Sequence, residues 1–311
     1  MNRNRAGLIA LLLVLLPVSA YALSELRTTS QNTAQVPTAD DRASFTSPKL
    51  PVPISDESII AIGDSGSGDT NQSELAAAIA TTVKGHRVAA LVMTGDNVYP
   101  DGSPERFGLL LDAPYRSWLD SSPIVATLGN HDVQAGYGAS QLEHLDLPAL
   151  PFRRVVGDLE FFVLDANHPD NDQAAWLDLA LTNSAAKYTV VVFHQPAYSC
   201  SKHGSTPEVQ NYFVPVIDAH SATLVLNGHD HNYQRFTSDR GVTYVVTGGG
   251  GAALYPILDC DTPVKRLKAT SVHHFLVLTA TPTGLDLSAI ALDGELVDHA
   301  LLPPTKKTGS N

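Results

Sequence analysis

The chain is short of sulfur, aromatic rings and positive charge. Its 311 residues include two Cys, two Met and two Trp, and aromatic residues make up 7%. Two cysteines are too few for a disulfide-stapled scaffold, so the fold must rest on a hydrophobic core. Lys and Arg number 20 against 32 Asp and Glu, a formal net charge of -12. This deficit argues against a nucleic-acid surface, which needs clustered Lys and Arg. It leaves room for an anionic small substrate, because bound cations can dominate a local field. A P-loop is also missing. Gly248-Gly249-Gly250-Gly251 is followed by no Lys-Ser/Thr, so it reads as a close-approach turn and not as a phosphate cradle.

Apolar runs long enough to span a membrane are absent too. The longest, residues 8–18, falls short of the ~20 residues a spanning helix needs. Arg3 and Arg5 precede it, and Ala20-Tyr21-Ala22 behind it fits a small-x-small cleavage site. Residues 1–22 therefore read as a signal peptide, with a single membrane anchor as the alternative. The expectation is a secreted or periplasmic protein with no stable membrane insertion after signal removal. Export favours a disulfide between Cys200 and Cys260. Two unpaired thiols remain the alternative, and thiolate ligation is unneeded beside the oxygen and nitrogen donors described below.

Residues 23–54 are rich in Ser, Thr, Pro and Asp and lack periodicity, so they read as a flexible lead-in. A catalytic domain is expected over 55–303, followed by a disordered tail at 304–311. Strand patterns fall at 58–62, 89–93, 123–128, 160–164, 189–193, 223–226 and 242–246. Helices are expected at 71–83 with Asn71 as cap, at 104–119, at 172–182, and from Pro207 to about 219 with Thr206 as cap. Three antiparallel strands follow at 272–278, 285–291 and 295–301, with Thr283-Gly284 and Asp293-Gly294 as hairpin turns. Alternating βα units with a β-rich end imply one α/β domain of two stacked sheets with helices outside.

The polar residues that carry chemistry sit where apolar runs stop. Residues 59–62 lead into Gly63-Asp64-Ser65-Gly66, and 91–93 into Gly95-Asp96-Asn97-Val98-Tyr99. Residues 125–128 lead into Gly129-Asn130-His131-Asp132, 190–193 into His194, and 224–226 into Gly228-His229-Asp230-His231. Binding sites in open α/β sheets form at the carboxyl ends of strands, so five such ends can meet in one crevice. Carboxylates, imidazoles and neutral amides suit hard or borderline cations. A carboxylate has two oxygens, so one Asp can bridge two ions.

These motifs, in this order, resemble the calcineurin-like metallophosphoesterase superfamily over about residues 59–235. Tyr99, three residues after Asp96, narrows the resemblance to the purple acid phosphatases and their tartrate-resistant, single-domain members. The resemblance implies a four-layer α/β/β/α sandwich with two stacked mixed β-sheets. It implies two metal ions, Fe3+ plus a divalent ion (Fe2+, Zn2+ or Mn2+). Asp96 would bridge them, with Asp64, Tyr99 and His231 at one site and Asn130, His194 and His229 at the other. His131, with His203 from the loop after the fourth motif, would face the substrate and assist the leaving oxygen. Asp132 and Asp230 would orient neighbouring histidines. The implied reaction is hydrolysis of phosphate monoesters by in-line attack of a metal-bound hydroxide. A phosphodiesterase or nucleotidase of the same superfamily is one alternative, and a catalytically silent metal-stabilised binding protein another. A small phosphorylated substrate is the expected partner. His86, His144, His168, His220, His273, His274 and His299 match no motif and read as ordinary surface or core residues.

Overall fold

The computed structural model describes residues 45–305. The expected signal peptide, residues 23–44 of the lead-in and residues 306–311 of the tail lie outside them. Apolar runs give the strands of the first half: β1 (Ile59–Ile62), β2 (Ala90–Met93), β3 (Ile124–Ala126), β4 (Phe152–Val156), β5 (Leu159–Val163), β6 (Tyr188–Val192) and β7 (Leu224–Asn227). The second half continues with β8 (Tyr233–Thr237), β9 (Thr243–Thr247), β10 (Lys265–Thr270), β11 (His274–Ala280), β12 (Leu285–Ala291) and β13 (Leu296–Leu302). Between them run α1 (Thr70–Thr82), α2 (Ala113–Leu119), α3 (Asn130–Val133), α4 (Gly138–His144), α5 (Asn171–Thr182), α6 (Pro207–Tyr212) and α7 (Val214–Ala219).

The strands form two mixed sheets. One is ordered β13-β12-β11-β1-β2-β3, the other β10-β8-β9-β7-β6-β5-β4. Within them β1, β2 and β3 run parallel, as do β5, β6, β7 and β9. Strand alternation sets the layers. Phe161, Val163, Val190, Val192, Leu224 and Leu226 join the core shared with the first sheet. Their neighbours Phe162, Val191 and Val225 pack with Leu177 of α5, Val209 of α6 and Ile217 of α7. Leu75 and Ile79 of α1 and Tyr115 and Trp118 of α2 cover the first sheet. The result is the α/β/β/α sandwich the sequence implied. Its parallel strands all deliver their carboxyl ends to one edge.

Several local expectations change. The cap of α1 is Asp69, not Asn71, because its carboxylate accepts the Gln72 N–H at 3.2 Å. The expected 104–119 helix is three pieces: a 3-10 turn (Pro104–Arg106), a π-helical stretch (Gly108–Asp112) and α2. Pro114 is the cause, since it has no N–H for the Leu110 carbonyl four residues back. Gln72 of α1 supplies the missing donor, its Nε2 bonding Leu110 O at 2.7 Å. The 207–219 helix divides at Phe213, where Pro215 opens α7, and Thr206 occupies the cap position without a side-chain bond. Strands β4, β8 and β10 were not expected. β4 and β10 are sheet edges with exposed Arg, Lys and Val, so their pattern reads as loop.

The described ends of the expected lead-in and tail are tied to the domain. Phe45, Leu50 and Ile54 pack against the core, and Thr46 N–H donates to Asp293 O. Thr305 N–H donates to Lys187 O, and its hydroxyl lies 2.9 Å from the Thr189 hydroxyl and 2.8 Å from that of Thr223. Cys200 and Cys260 are joined, with Cα atoms 5.4 Å apart. On the chain-entropy account, closing their 60-residue loop stabilises the fold by about 4 kcal/mol.

Gln72 is 2% exposed and bonds both Leu110 O and the Gly68 N–H. Gln72→Leu should therefore strand a buried carbonyl and lower stability by about 1–3 kcal/mol. Urea unfolding checks this; an unchanged midpoint would show that the carbonyl needs no partner.

Candidate metal centre

Three of the five non-glycine residues with positive φ among those described are Asp64, Asp96 and His229. The left-handed region is uncommon for such residues, though Asp and His tolerate it best. Strain of this kind persists where surrounding structure over-determines it. Here the turn after a buried strand throws the side chain back across the strand end. Asp64 follows β1, Asp96 follows β2, Asn130 opens α3 after β3, His194 follows β6, and His229 and His231 follow β7.

These turns pack on one another. Asp64 N–H donates to Gly95 O, Gly228 N–H to His194 O, and Gly250 N–H to Gly63 O. Two glycines are required by contact. A Cβ on Gly129 would lie 2.1 Å from Asp96 Oδ1, and one on Gly228 would lie 2.4 Å from Asp64 Oδ2. The Gly248–Gly251 turn does sit at the site, against Asp230 O, Gly63 O and Ser65 O.

The side chains of Asp64, Asp96, Tyr99, His194, His229 and His231 come together. Tyr99 OH lies 3.0 Å from Asp96 Oδ2, 3.3 Å from Asp64 Oδ1 and 3.1 Å from His231 Nε2. His231 Nε2 is 3.4 Å from Asp64 Oδ1, and His194 Nε2 is 3.3 Å from Asp96 Oδ2. Asp96, His194 and His229 each offer an atom within 4.8 Å of the others. Two donor atoms, Asn130 Oδ1 and His194 Nε2, are buried without a hydrogen-bond partner. Buried polar atoms are normally paired. An unpaired amide oxygen and an unpaired imidazole nitrogen beside a carboxylate fit the donor set of a cation.

Backbone carbonyls fix the imidazoles. A carbonyl can only accept, so each of these ring nitrogens carries a proton. Nδ1–H of His194 donates to Thr94 O at 2.9 Å, that of His231 to Ala253 O at 2.7 Å, and that of His131 to Pro100 O at 2.6 Å. In all three, Nε2 is left toward the site, the orientation outer partners impose on metal-binding histidines.

The electrostatics show a shortage of positive charge. Burial pushes the Asp64 carboxyl up, against the His231 bond that lowers it. Burial also acts to raise Asp96, but the His194 imidazolium beside it outweighs that and holds it well below the usual range. His194 is itself drawn up to about 10, since Asp96 overcomes the burial that lowers it. Burial, then the Asp64 and Asp96 carboxylates, drive the Tyr99 phenol far above its ordinary value. Burial and the His194 charge bring His229 down to about 2. Two buried carboxylates therefore lean on the neighbouring His194 and His231 rings for compensation, a task a bound cation performs better.

His131 lies against Tyr99, ring centroids 4.5 Å apart, and its backbone N–H donates to Asp96 Oδ1 at 2.9 Å. His203 is exposed, with its ring 4.2 Å from that of His229. Both substrate-facing candidates therefore border the cluster. Asp132 differs from expectation, and Asp230 reaches a histidine only through the His203 backbone. Asp132 accepts from the N–H groups of Asn97, Val98 and Gly129 and from Gln141, binding loops and no imidazole. Asp230 accepts from the Ser199 hydroxyl and from the N–H groups of His203 and Gly204. Backbone amides reach each carboxylate first because the turns fold around it.

Sequence reasoning missed Asn97, Gln141 and Tyr255. Asn97 Nδ2 bonds Thr127 O and Gln141 Oε1, tying the second and third motifs together. Its place inside the Gly-Asp-Asn motif was the available signal. Tyr255 stacks on His231 at 4.0 Å between centroids and 14° between planes. It lies in a stretch with no motif and left no signal. The unmatched histidines are ordinary: His144, His220 and His299 pair with carboxylates, and His274 bonds Thr247 in the core.

Comparison with known proteins places the chain in a family. Residues 58–233 match the family model described as calcineurin-like phosphoesterase. Purple acid phosphatase 4 of Arabidopsis thaliana is 29% identical over 249 residues, 68% of this chain and 74% of that protein. Tartrate-resistant acid phosphatase type 5 of Sus scrofa is 28% identical over 56% of this chain and 62% of its own length. Among solved structures, GAP50, titled the anchor in the inner membrane complex of Plasmodium, superposes with a TM-score of 0.69 at 20% identity. That match covers 81% of this chain and 90% of GAP50. With its strand-end motifs gathered in one buried cluster and its family model matched over more than half its length, the chain belongs to the calcineurin-like phosphoesterase family, among relatives that are purple acid phosphatases.

Proposed function

We propose that the protein is an exported two-metal acid phosphatase acting on phosphate monoesters. The observation that carries this reading is the buried cluster in which Asp96, His194 and His229 each offer a donor atom within 4.8 Å of the others, with His194 Nε2 and Asn130 Oδ1 left without a hydrogen-bond partner. On this reading Asp64, Tyr99 and His231 hold one cation, and Asn130, His194 and His229 the other, with Asp96 shared. The phenol and two carboxylates suit Fe3+, and the amide and imidazoles suit Fe2+, Zn2+ or Mn2+. When bound, such a pair lowers the pKa of water and offsets charge on phosphoryl oxygens. Export is supported by the Cys200–Cys260 bond, which suits an oxidising compartment.

The chain's own residues supply the rest. His131 has committed Nδ1–H to Pro100 O. That leaves Nε2 as the ring nitrogen available to assist the leaving oxygen. Its backbone N–H meanwhile fixes Asp96 Oδ1, so the proton donor and the shared carboxylate keep one geometry. His203, held by Asp230 through its backbone, borders the His229 side and is placed to bind a phosphoryl oxygen. Tyr99, which narrows the branch, favours monoesters over the diesterase alternative.

Protein loaded with iron plus zinc or manganese should hydrolyse p-nitrophenyl phosphate on the acid side of neutrality and prefer it to the bis ester. His131→Ala should lower kcat about a hundredfold or more with metal content unchanged. Absence of turnover at every pH, with metal bound, would sink the proposal.

Tyr99→Phe gives an independent reading. The loaded protein should show a tyrosinate-to-iron absorption band in the visible, and the variant should lose it while retaining iron. A band that survives the substitution would remove Tyr99 from the ligand set.

A further inference from the structure

One group beside the cluster has no part in the chemistry above. Lys202 is exposed, and its Nζ lies 4.1 Å from the centroid of the Tyr255 ring. The other face of that ring is covered by His231, stacked at 4.0 Å and 14°. Tyr255 also meets His203, centroid to centroid at 5.4 Å. A positive charge is therefore parked on an aromatic plate that touches both a candidate ligand and a candidate substrate-facing imidazole. Among the described residues Lys202 forms no ion pair, in a chain whose formal net charge is -12.

The position is built, although both residues lie in loops. The Cys200–Cys260 bond joins the loop of Lys202 to the loop of Tyr255. Beside it, Leu258 N–H donates to Cys200 O and the Ser201 hydroxyl to Pro256 O, each at 2.9 Å. Tyr255 N–H donates to His231 O at 3.0 Å, and the Ser271 hydroxyl caps Tyr255 O at 2.9 Å. A cation on an aromatic face loses little hydration and stays available to an anion. A lysine meant for solubility alone needs no such seat.

We infer that Lys202, seated on Tyr255, selects monoesters whose leaving group carries a second anionic group, a carboxylate or another phosphate. The inference rests on the phosphatase reading. The phosphoryl group occupies the cluster. The leaving group then extends toward the His203 side, where the ammonium meets its second charge. A neutral leaving group gains nothing there, so the two substrate classes differ mainly in KM.

The test compares 3-phosphoglycerate with glycerol 3-phosphate on the metal-loaded full protein. The ratio of their kcat/KM values should favour the carboxylate. It should fall about fivefold in Lys202→Met, the scale of one partly exposed charge pair, through KM for 3-phosphoglycerate. Lys202→Arg should restore most of the ratio, and raising salt should erode it in the wild type more than in Lys202→Met. An unchanged ratio in Lys202→Met, with both esters turned over, overturns the selection and leaves the phosphatase reading intact. Failure of the wild type to hydrolyse either ester while it turns over p-nitrophenyl phosphate overturns the selection alone, and failure on all three overturns both. Because Lys202 is exposed, loss of folding is not expected, and an unchanged melting temperature verifies that the ratio reports recognition.

Discussion

Everything in this molecule is arranged around two carboxylates buried at the ends of adjacent parallel strands. Asp64 and Asp96 are 0% and 1% exposed. Burying an ionised carboxylate without a partner is costly, and this chain accepts that cost twice within one pocket. The response is visible in every neighbouring element. His229 turns its backbone N–H onto both Asp64 oxygens, His131 gives its own to Asp96, and His194 moves toward protonation. The glycines of the surrounding loops keep Cβ atoms out of the space these contacts need.

A likeness of fold would not by itself say what this arrangement does. GAP50, an anchor in the inner membrane complex of Plasmodium, superposes over nine-tenths of its length. What separates a scaffold from a hydrolytic centre is the donor set inside the sandwich. Here that set has its oxygens and nitrogens converging, with two of them unpaired in the interior. Outer carbonyls fix two of the candidate ligands, Thr94 O holding His194 and Ala253 O holding His231, and Pro100 O holds His131 in the same tautomer.

Much of this was legible from the chain alone, for a physical reason. Parallel strands buried on both faces are continuous apolar runs, so the residues that end them stand out. The positions of Asp64, Asp96, Asn130, His194 and His229 were readable in that way. Edge strands such as β10, with the sequence Lys-Arg-Leu-Lys-Ala-Thr, carry no such signature. The role of Asp132 was misread because a motif says which residues are near and not which backbone amides point at them. The split of the 104–119 helix was hidden for a related reason. Pro114 was visible, but the Gln72 side chain that meets Leu110 O comes from a helix some forty residues away. Tyr255 and Lys202 meet where a disulfide joins two loops whose cysteines are 60 residues apart.

The donors are unequally shared between the two sheets. Asp64, Asp96, Tyr99 and Asn130 follow β1, β2 and β3, while His194, His229 and His231 follow β6 and β7. Oxygen comes from one leaf of the sandwich and imidazole nitrogen from the other. The centre is therefore a gauge of the spacing between the leaves. Side chains such as Phe161, Val190 and Leu224, which fill the gap without touching the site, set how far apart the two kinds of donor stand. A cation bound there would in turn clamp the leaves together, adding to stability in proportion to its occupancy. Packing and chemistry then share one coordinate, and a methyl group lost from the middle of the sandwich would be felt at its rim.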